Sequence, residues 1–248
     1  MANEEHISLL KGGIDGWNQW RRDNPDITPD LSSSEIRGKD LRGSDLSGAD
    51  LHGDSFAGTD LSGADLTGAD LTRARFNLGD LRDATLQDAN LIESKLQAVE
   101  LDEADLRDAD MIRADLSRSA LIKADLRGAN LTGANLRGAR LIMANLQGAD
   151  LSRTNCTNAD FIESDLRNAD MSGANLTKAN LCGANIEGAS LDHAKFDATV
   201  MPDGSVQTGD AKGSPQQDQS TQPLQRVPDR RDAISRQNRD RHYWKNDD

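Results

Sequence analysis

Ala129-Asn130-Leu131-Thr132-Gly133, followed at once by Ala134-Asn135-Leu136-Arg137-Gly138, decides the fold. Each unit is a small residue, then Asn or Asp, then a large apolar residue, then two more. The apolar residue recurs at every fifth position from Leu31 to Phe196 with no slip in register. Leu41, Leu46, Leu51, Phe56 and Leu61 open the series, and Leu176, Leu181, Ile186, Leu191 and Phe196 close it. A period of five fits neither the three-and-four spacing of an α-helix nor the alternation of a flat strand. The chain must therefore turn at every unit.

If each unit is a short extended piece followed by a corner, the central Leu and the small residue two before it point inward. The Asp or Asn between them faces water, as do the two residues that follow. Four corners close a square, so four units make one coil, and coils stack at about 4.8 Å with backbone hydrogen bonds between them. A tube one side chain wide cannot hold two large residues per unit on all four sides at native packing density, which explains Ala49, Ala64, Ala69, Ala109, Ala129 and Ala179. Glycines such as Gly43, Gly48, Gly128 and Gly133 fall at the corners, where a type II turn needs positive φ. The Asp and Asn side chains beside the corners can bond nearby backbone groups.

Ala49-Asp50-Leu51, Ala64-Asp65-Leu66, Ala129-Asn130-Leu131-Thr132-Gly133 and Ala174-Asn175-Leu176 resemble the A(D/N)LxG signature of pentapeptide-repeat proteins, abundant in cyanobacteria. The resemblance implies an all-β solenoid, a right-handed quadrilateral parallel β-helix. It leaves function open, because members of that family include interaction and regulatory proteins and DNA-mimicking inhibitors of gyrase. The expected organisation is an N-terminal α-helical cap at residues 1–30, the β-helix at 31–201 and a flexible C-terminal tail at 202–248.

Asn3 to about Arg22 reads as one amphipathic helix, with Asn3 as N-cap and Ile7, Leu10, Ile14 and Trp17 on one face, weakened by Gly12, Gly13 and Gly16. Its expected role is to cover the open end of the tube, the alternative being a partner-binding helix that uses Trp17 and Trp20. Beyond Phe196, Met201-Pro202-Asp203-Gly204 reads as a turn leaving the last coil, and Ser205 to Gln225 as a flexible segment. The final stretch sets Arg230, Arg231, Arg236, Arg239, Arg241 and Lys245 around Ala233, Ile234, Tyr243 and Trp244. It reads as a disordered tail or as a segment that docks on a partner or on the acidic repeat.

The formal net charge of −13 argues against direct nucleic-acid binding, which would need a basic face. No apolar run approaches membrane-spanning length, so no membrane insertion is expected. Cys156 takes an inward position and Cys182 an outward one, so they should not pair; two unpaired thiols and no secretory signal fit a cytoplasmic protein. His6, His52, His193 and His242 are too scattered for three to share a metal, and a regular convex surface provides no cleft to perturb a carboxylate. We therefore expect no enzyme, no cofactor and no metal site.

One surface departs from its own pattern. The outward position after each central residue is normally polar, as at Arg42, Ser47, Ser62 and Thr67, yet on one face it becomes Ile122, Ile142 and Ile162, then Cys182. Met143 joins the row, Ala120 and Arg140 replace the usual Asp or Asn, and Lys123 adds a positive charge. Ile92 and Ile112 form a shorter row on the opposite face. β-branched residues stack well in any ladder, so the Ile row is either ordinary surface or a contact site for a protein partner or for a second copy of the chain. Arg107, Arg127 and Arg167 fall on one further face near Asp105, Asp125 and Asp165, as a solvated ion-pair row. The pattern is read as that of a non-enzymatic protein–protein interaction scaffold; the family resemblance, with the acidic repeat, implies as the alternative a DNA-mimicking inhibitor or protector of DNA gyrase.

Overall fold

A computed structural model describes residues 2–210. Most of the C-terminal tail, its basic and aromatic run included, lies outside the described residues.

The repeat folds as the five-residue period demands. Parallel bridges join Asp30 to Asp50, Glu35 to Ser55, Asp40 to Asp60 and Asp45 to Asp65, and continue at a spacing of twenty residues to Asn180 and Val200. Four bridge columns per coil give four faces. The central residues are buried, Leu126, Leu131, Phe56, Phe76 and Phe161 among them, and Cys156 takes one of these positions; Ile186, near the end of the stack, is partly exposed. Both cysteines are free.

Accounting for the N–H groups of one unit shows why its residue types are needed. Ala129 N–H donates to Leu126 O at 3.1 Å and closes the corner. Asn130 donates to Ala109 O at 2.9 Å in the coil before, while Leu131 and Gly133 donate to Asp150 O and Ser152 O in the coil after, at 2.7 and 2.8 Å. That leaves the N–H of Thr132, which no neighbouring coil can reach. The Asn130 Oδ1 accepts it at 3.1 Å. The Asp or Asn is thus the acceptor for the fifth N–H, and the same bond recurs from Arg42 N–H to Asp40 and from Ser152 N–H to Asp150.

The corner residue has positive φ at every unit from Ser33 to Ala198, whether or not it is glycine: Gly133 at 67°, Arg73 at 59°, Asp88 at 57°, Ala98 at 53°. Coil stacking holds residues with a Cβ in a region they otherwise avoid.

The N-terminal segment differs from the single helix expected. It forms α1 (Glu4–Gly12) and α2 (Ile14–Asp23), broken at Gly13, whose φ of 128° is outside any helix. Asn3 caps α1 as expected, its side chain accepting from the N–H groups of Glu5 and His6. Side chains of α2 occupy the hydrogen-bond positions that a preceding coil would fill. Trp17 Nε1 donates to Asp45 O at 2.8 Å, Asn18 Oδ1 accepts from Asp45 N–H at 2.9 Å, and Arg21 Nη2 donates to Ser47 O at 2.8 Å. His6 Nδ1 accepts from Asp30 N–H at 3.0 Å. Trp17 is fully buried, and Trp20, partly buried, packs beside it against the end of the repeat.

The last coil also ends differently from the expected flexible exit. β1 (Lys195–Val200) continues the parallel stack through Lys195 to Asn175 and Val200 to Asn180, then turns at Pro202 to Gly204 into β2 (Val206–Asp210). β2 pairs antiparallel with β1, Val200 opposite Val206 and Thr199 opposite Gln207. The hairpin reverses chain direction on the outer edge of β1, which stops the parallel stack on that face.

Candidate functional site

The structure brings the Ile row together as a ladder, but a more covered one than the sequence pattern suggests. Ile122 and Ile162 are half-buried, and Ile142, stacked between them, is only 9 % exposed; Ala120 is 6 % exposed. The correction has a simple cause: in a ladder each branched side chain lies on its neighbours one coil away, so the middle one loses its solvent contact. Met143, at the corner with φ of 57°, is the apolar group that projects, at 43 % exposed.

The polar surroundings change too. Lys123 adds little free positive charge, because its Nζ sits 2.9 Å from Glu103 Oε1, and this pair raises its pKa. Ala120 cannot accept the N–H of Ile122, and Asp102 Oδ1 from the preceding coil takes it at 2.8 Å. Arg140 likewise supplies no acceptor, and the N–H of Ile142 has no protein acceptor among the described residues. The opposite row is ordinary: Ile92 and Ile112 N–H donate to Asn90 and Asp110, each at 3.3 Å. Other faces carry rows of ion pairs. Arg107, Arg127 and Arg167 each hold the Asp two residues before them at 2.6 Å, and Arg42 holds Asp40 at 2.6 Å, drawing that carboxyl down to about 2.

Two groups were missed in the sequence. Asp54 stands where other units have Ala, fully buried, its carboxyl pushed up to about 8 by burial. The signal was present in Gly53-Asp54-Ser55-Phe56, an acid two residues before the central position. His52, compared only with the other histidines, lies instead beside acids: ligand atoms of Asp50, His52 and Asp70 fall within 4.8 Å of one another. His52 Nδ1 and Asp50 Oδ1 already face each other at 2.7 Å, which raises the histidine pKa.

The model of pentapeptide repeats matches in eight copies between residues 30 and 201. This chain belongs to the pentapeptide-repeat family. Members of the family fold as right-handed quadrilateral β-helices, which sets the hand of the coil described above. Among solved structures, this pentapeptide-repeat chain is similar to HetL of the cyanobacterium Nostoc, described as involved in heterocyst differentiation regulation. The two are 33 % identical over 71 % of this chain and 91 % of HetL, with a TM-score of 0.36. It is also similar to full-length QnrB1, a plasmid-mediated fluoroquinolone resistance protein, at 21 % identity over 64 % of this chain and 91 % of that one, TM-score 0.36. A thylakoid-lumen pentapeptide-repeat protein of Arabidopsis thaliana is 32 % identical over 37 % of this chain and 61 % of its own, TM-score 0.22. No curated protein matches the sequence. Among the described residues no helix is long and apolar enough to cross a membrane.

Proposed function

We propose that this pentapeptide-repeat protein is a non-enzymatic scaffold that holds a protein partner on the face of Ile122, Ile142, Ile162, Met143 and Arg140. The observation that carries this reading is the coincidence on one face of an exposed Met143, an apolar ladder and the loss of acid at Ala120 and Arg140. Half-exposed Met143 contributes about 1 kcal/mol when covered, and the half-buried Ile122 and Ile162 add less than full burial would. The apolar part therefore anchors the contact and the surrounding charges select the partner. A second copy of the chain is the other occupant this face fits, and sedimentation equilibrium separates the two.

The DNA-mimic reading draws support from bridged acid columns, Asp30, Asp50 and Asp70 on one face and Asp40, Asp60, Asp80 and Glu100 on another. Arg42 and Arg82 neutralise Asp40 and Asp80 from within their own units, which works against a phosphate-like row on that face. A gyrase supercoiling assay with purified protein tests it: no inhibition and no quinolone protection at stoichiometric amounts supports the scaffold reading, and either effect replaces it with the gyrase-directed one.

A further inference from the structure

The hydrogen-bond pattern of the coil breaks along one column of a different face. Ser55, Arg75 and Lys95 are bridged in succession at the position that elsewhere holds the Asp or Asn acceptor. Arg and Lys have no acceptor atom. The N–H groups of Asn77 and Gln97 consequently lose the partner their units would provide, and no other protein acceptor reaches them among the described residues. Their side-chain amides are engaged with each other and with Asp115.

The two cations stand at the Asp or Asn position itself, whereas Arg42, Arg82, Arg107, Arg127 and Arg167 stand two residues after it and each holds the acid of its own unit. Arg75 and Lys95 stand one coil apart, both exposed, and neither forms an ion pair among the described residues. The acid beside them, Glu93, is held by Arg73 at 2.8 Å. Arg73, Arg75, Asn77, Glu93, Lys95 and Gln97 line an open groove of about 650 Å³. Two adjacent like charges and two outward N–H donors without acceptors are the donor set of an oxyanion. At the corner after Asn77 stands Leu78, 76 % exposed, an apolar contact that a free phosphate would leave uncovered.

We propose that this groove docks an acidic segment of a protein partner, with carboxylates on Arg75, Lys95 and the N–H groups of Asn77 and Gln97, and an apolar neighbour over Leu78. The inference rests on the protein-binding reading for the class of ligand, and not on the Ile row, which lies in another bridge column. The test is an NMR titration of the ¹⁵N-labelled full chain with the synthetic peptide acetyl-Glu-Glu-Leu-Glu-amide, its all-Gln counterpart, and inorganic pyrophosphate. The acidic peptide should shift the Asn77 and Gln97 amide signals saturably, and the Gln peptide should not. Replacing Arg75→Asp and Lys95→Asp together restores the family's usual acceptor, so the variant keeps its fold, and it should weaken the peptide at least tenfold. Peptide binding that is unchanged in this variant, an equal response to the Gln peptide, or a response to pyrophosphate alone overturns the proposal. The Ile122→Thr, Ile142→Thr, Ile162→Thr variant should bind the peptide as the parent does. Peptide binding retained by that variant while its partner capture equals the parent's refutes the Ile-row reading and leaves the groove standing.

Discussion

The carboxyl of Asp54 lies 3.1 Å from the hydroxyl of Ser34, one coil earlier, inside the tube. Both occupy the small-residue column that continues to Ala74 one coil later, and the second oxygen of Asp54 has no partner. A carboxyl so placed keeps its proton, since ionisation would bury a charge with one hydroxyl to meet it.

From this follows a dependence of stability on pH. Desolvation raises the Asp54 pKa from 3.8 to about 8 against the opposing Ser34 hydrogen bond, with Asp50 adding to the rise and His52 reducing it. The folded state therefore holds a proton that the unfolded chain releases above about pH 4. Stability from this group is complete below the unfolded value and is lost progressively as pH rises toward 8, by up to several kcal/mol. Asp54→Asn keeps a similar shape and cannot ionise. Its melting temperature should exceed that of the parent far more at pH 8.5 than at pH 4.5. An equal difference at the two pH values would show that Asp54 ionises freely.

The corners give a second expectation. Ala98 at φ 53° carries a Cβ in the left-handed region, whereas Gly133 at 67° carries none. Strain of roughly 1–2 kcal/mol is relieved in Ala98→Gly and partly offset by the greater freedom of glycine in the unfolded chain, for a net gain of about 0.5–1 kcal/mol. Gly133→Ala should lose a similar amount, since the added Cβ meets Arg113 only at 3.8 Å and the cost is conformational. Denaturant titration of both variants checks the opposite signs.

The cap should be worth more than any single corner. Trp17 is fully buried and gives its Nε1–H to the Asp45 carbonyl, so Trp17→Ala removes both a large apolar group and the partner of an end-coil carbonyl. A loss of about 3–5 kcal/mol is expected in thermal or denaturant unfolding. A change under 1 kcal/mol would mean that the first coil stands without its helices.

The repeat was legible because five-residue spacing of Leu has one geometric solution, and because Asp and Asn recur where one N–H lacks a coil partner. What the pattern hid were its local exceptions. Asp54 passed unnoticed in a chain rich in Asp, although its place in the unit differs from that of Asp50 or Asp60. Gly13 was read as weakening a helix when its φ of 128° ends one. Val206 to Asp210 looked like the start of a polar tail, and its strand depends on the edge of β1, which no local composition records. The coverage of Ile142 follows from stacking across coils, which sequence spacing locates but does not quantify.

Whether the Ile122, Ile142 and Ile162 face holds a protein partner is decided by comparing two triple variants in partner capture and sedimentation. Changing the three isoleucines to Thr keeps β-branching and the ladder, so the fold should remain. Changing Arg107, Arg127 and Arg167 to Thr alters a paired row on another face. The Ile variant should bind its partner at least tenfold more weakly, while the Arg variant should bind as the parent does. Equal capture and equal sedimentation of both variants would contradict it.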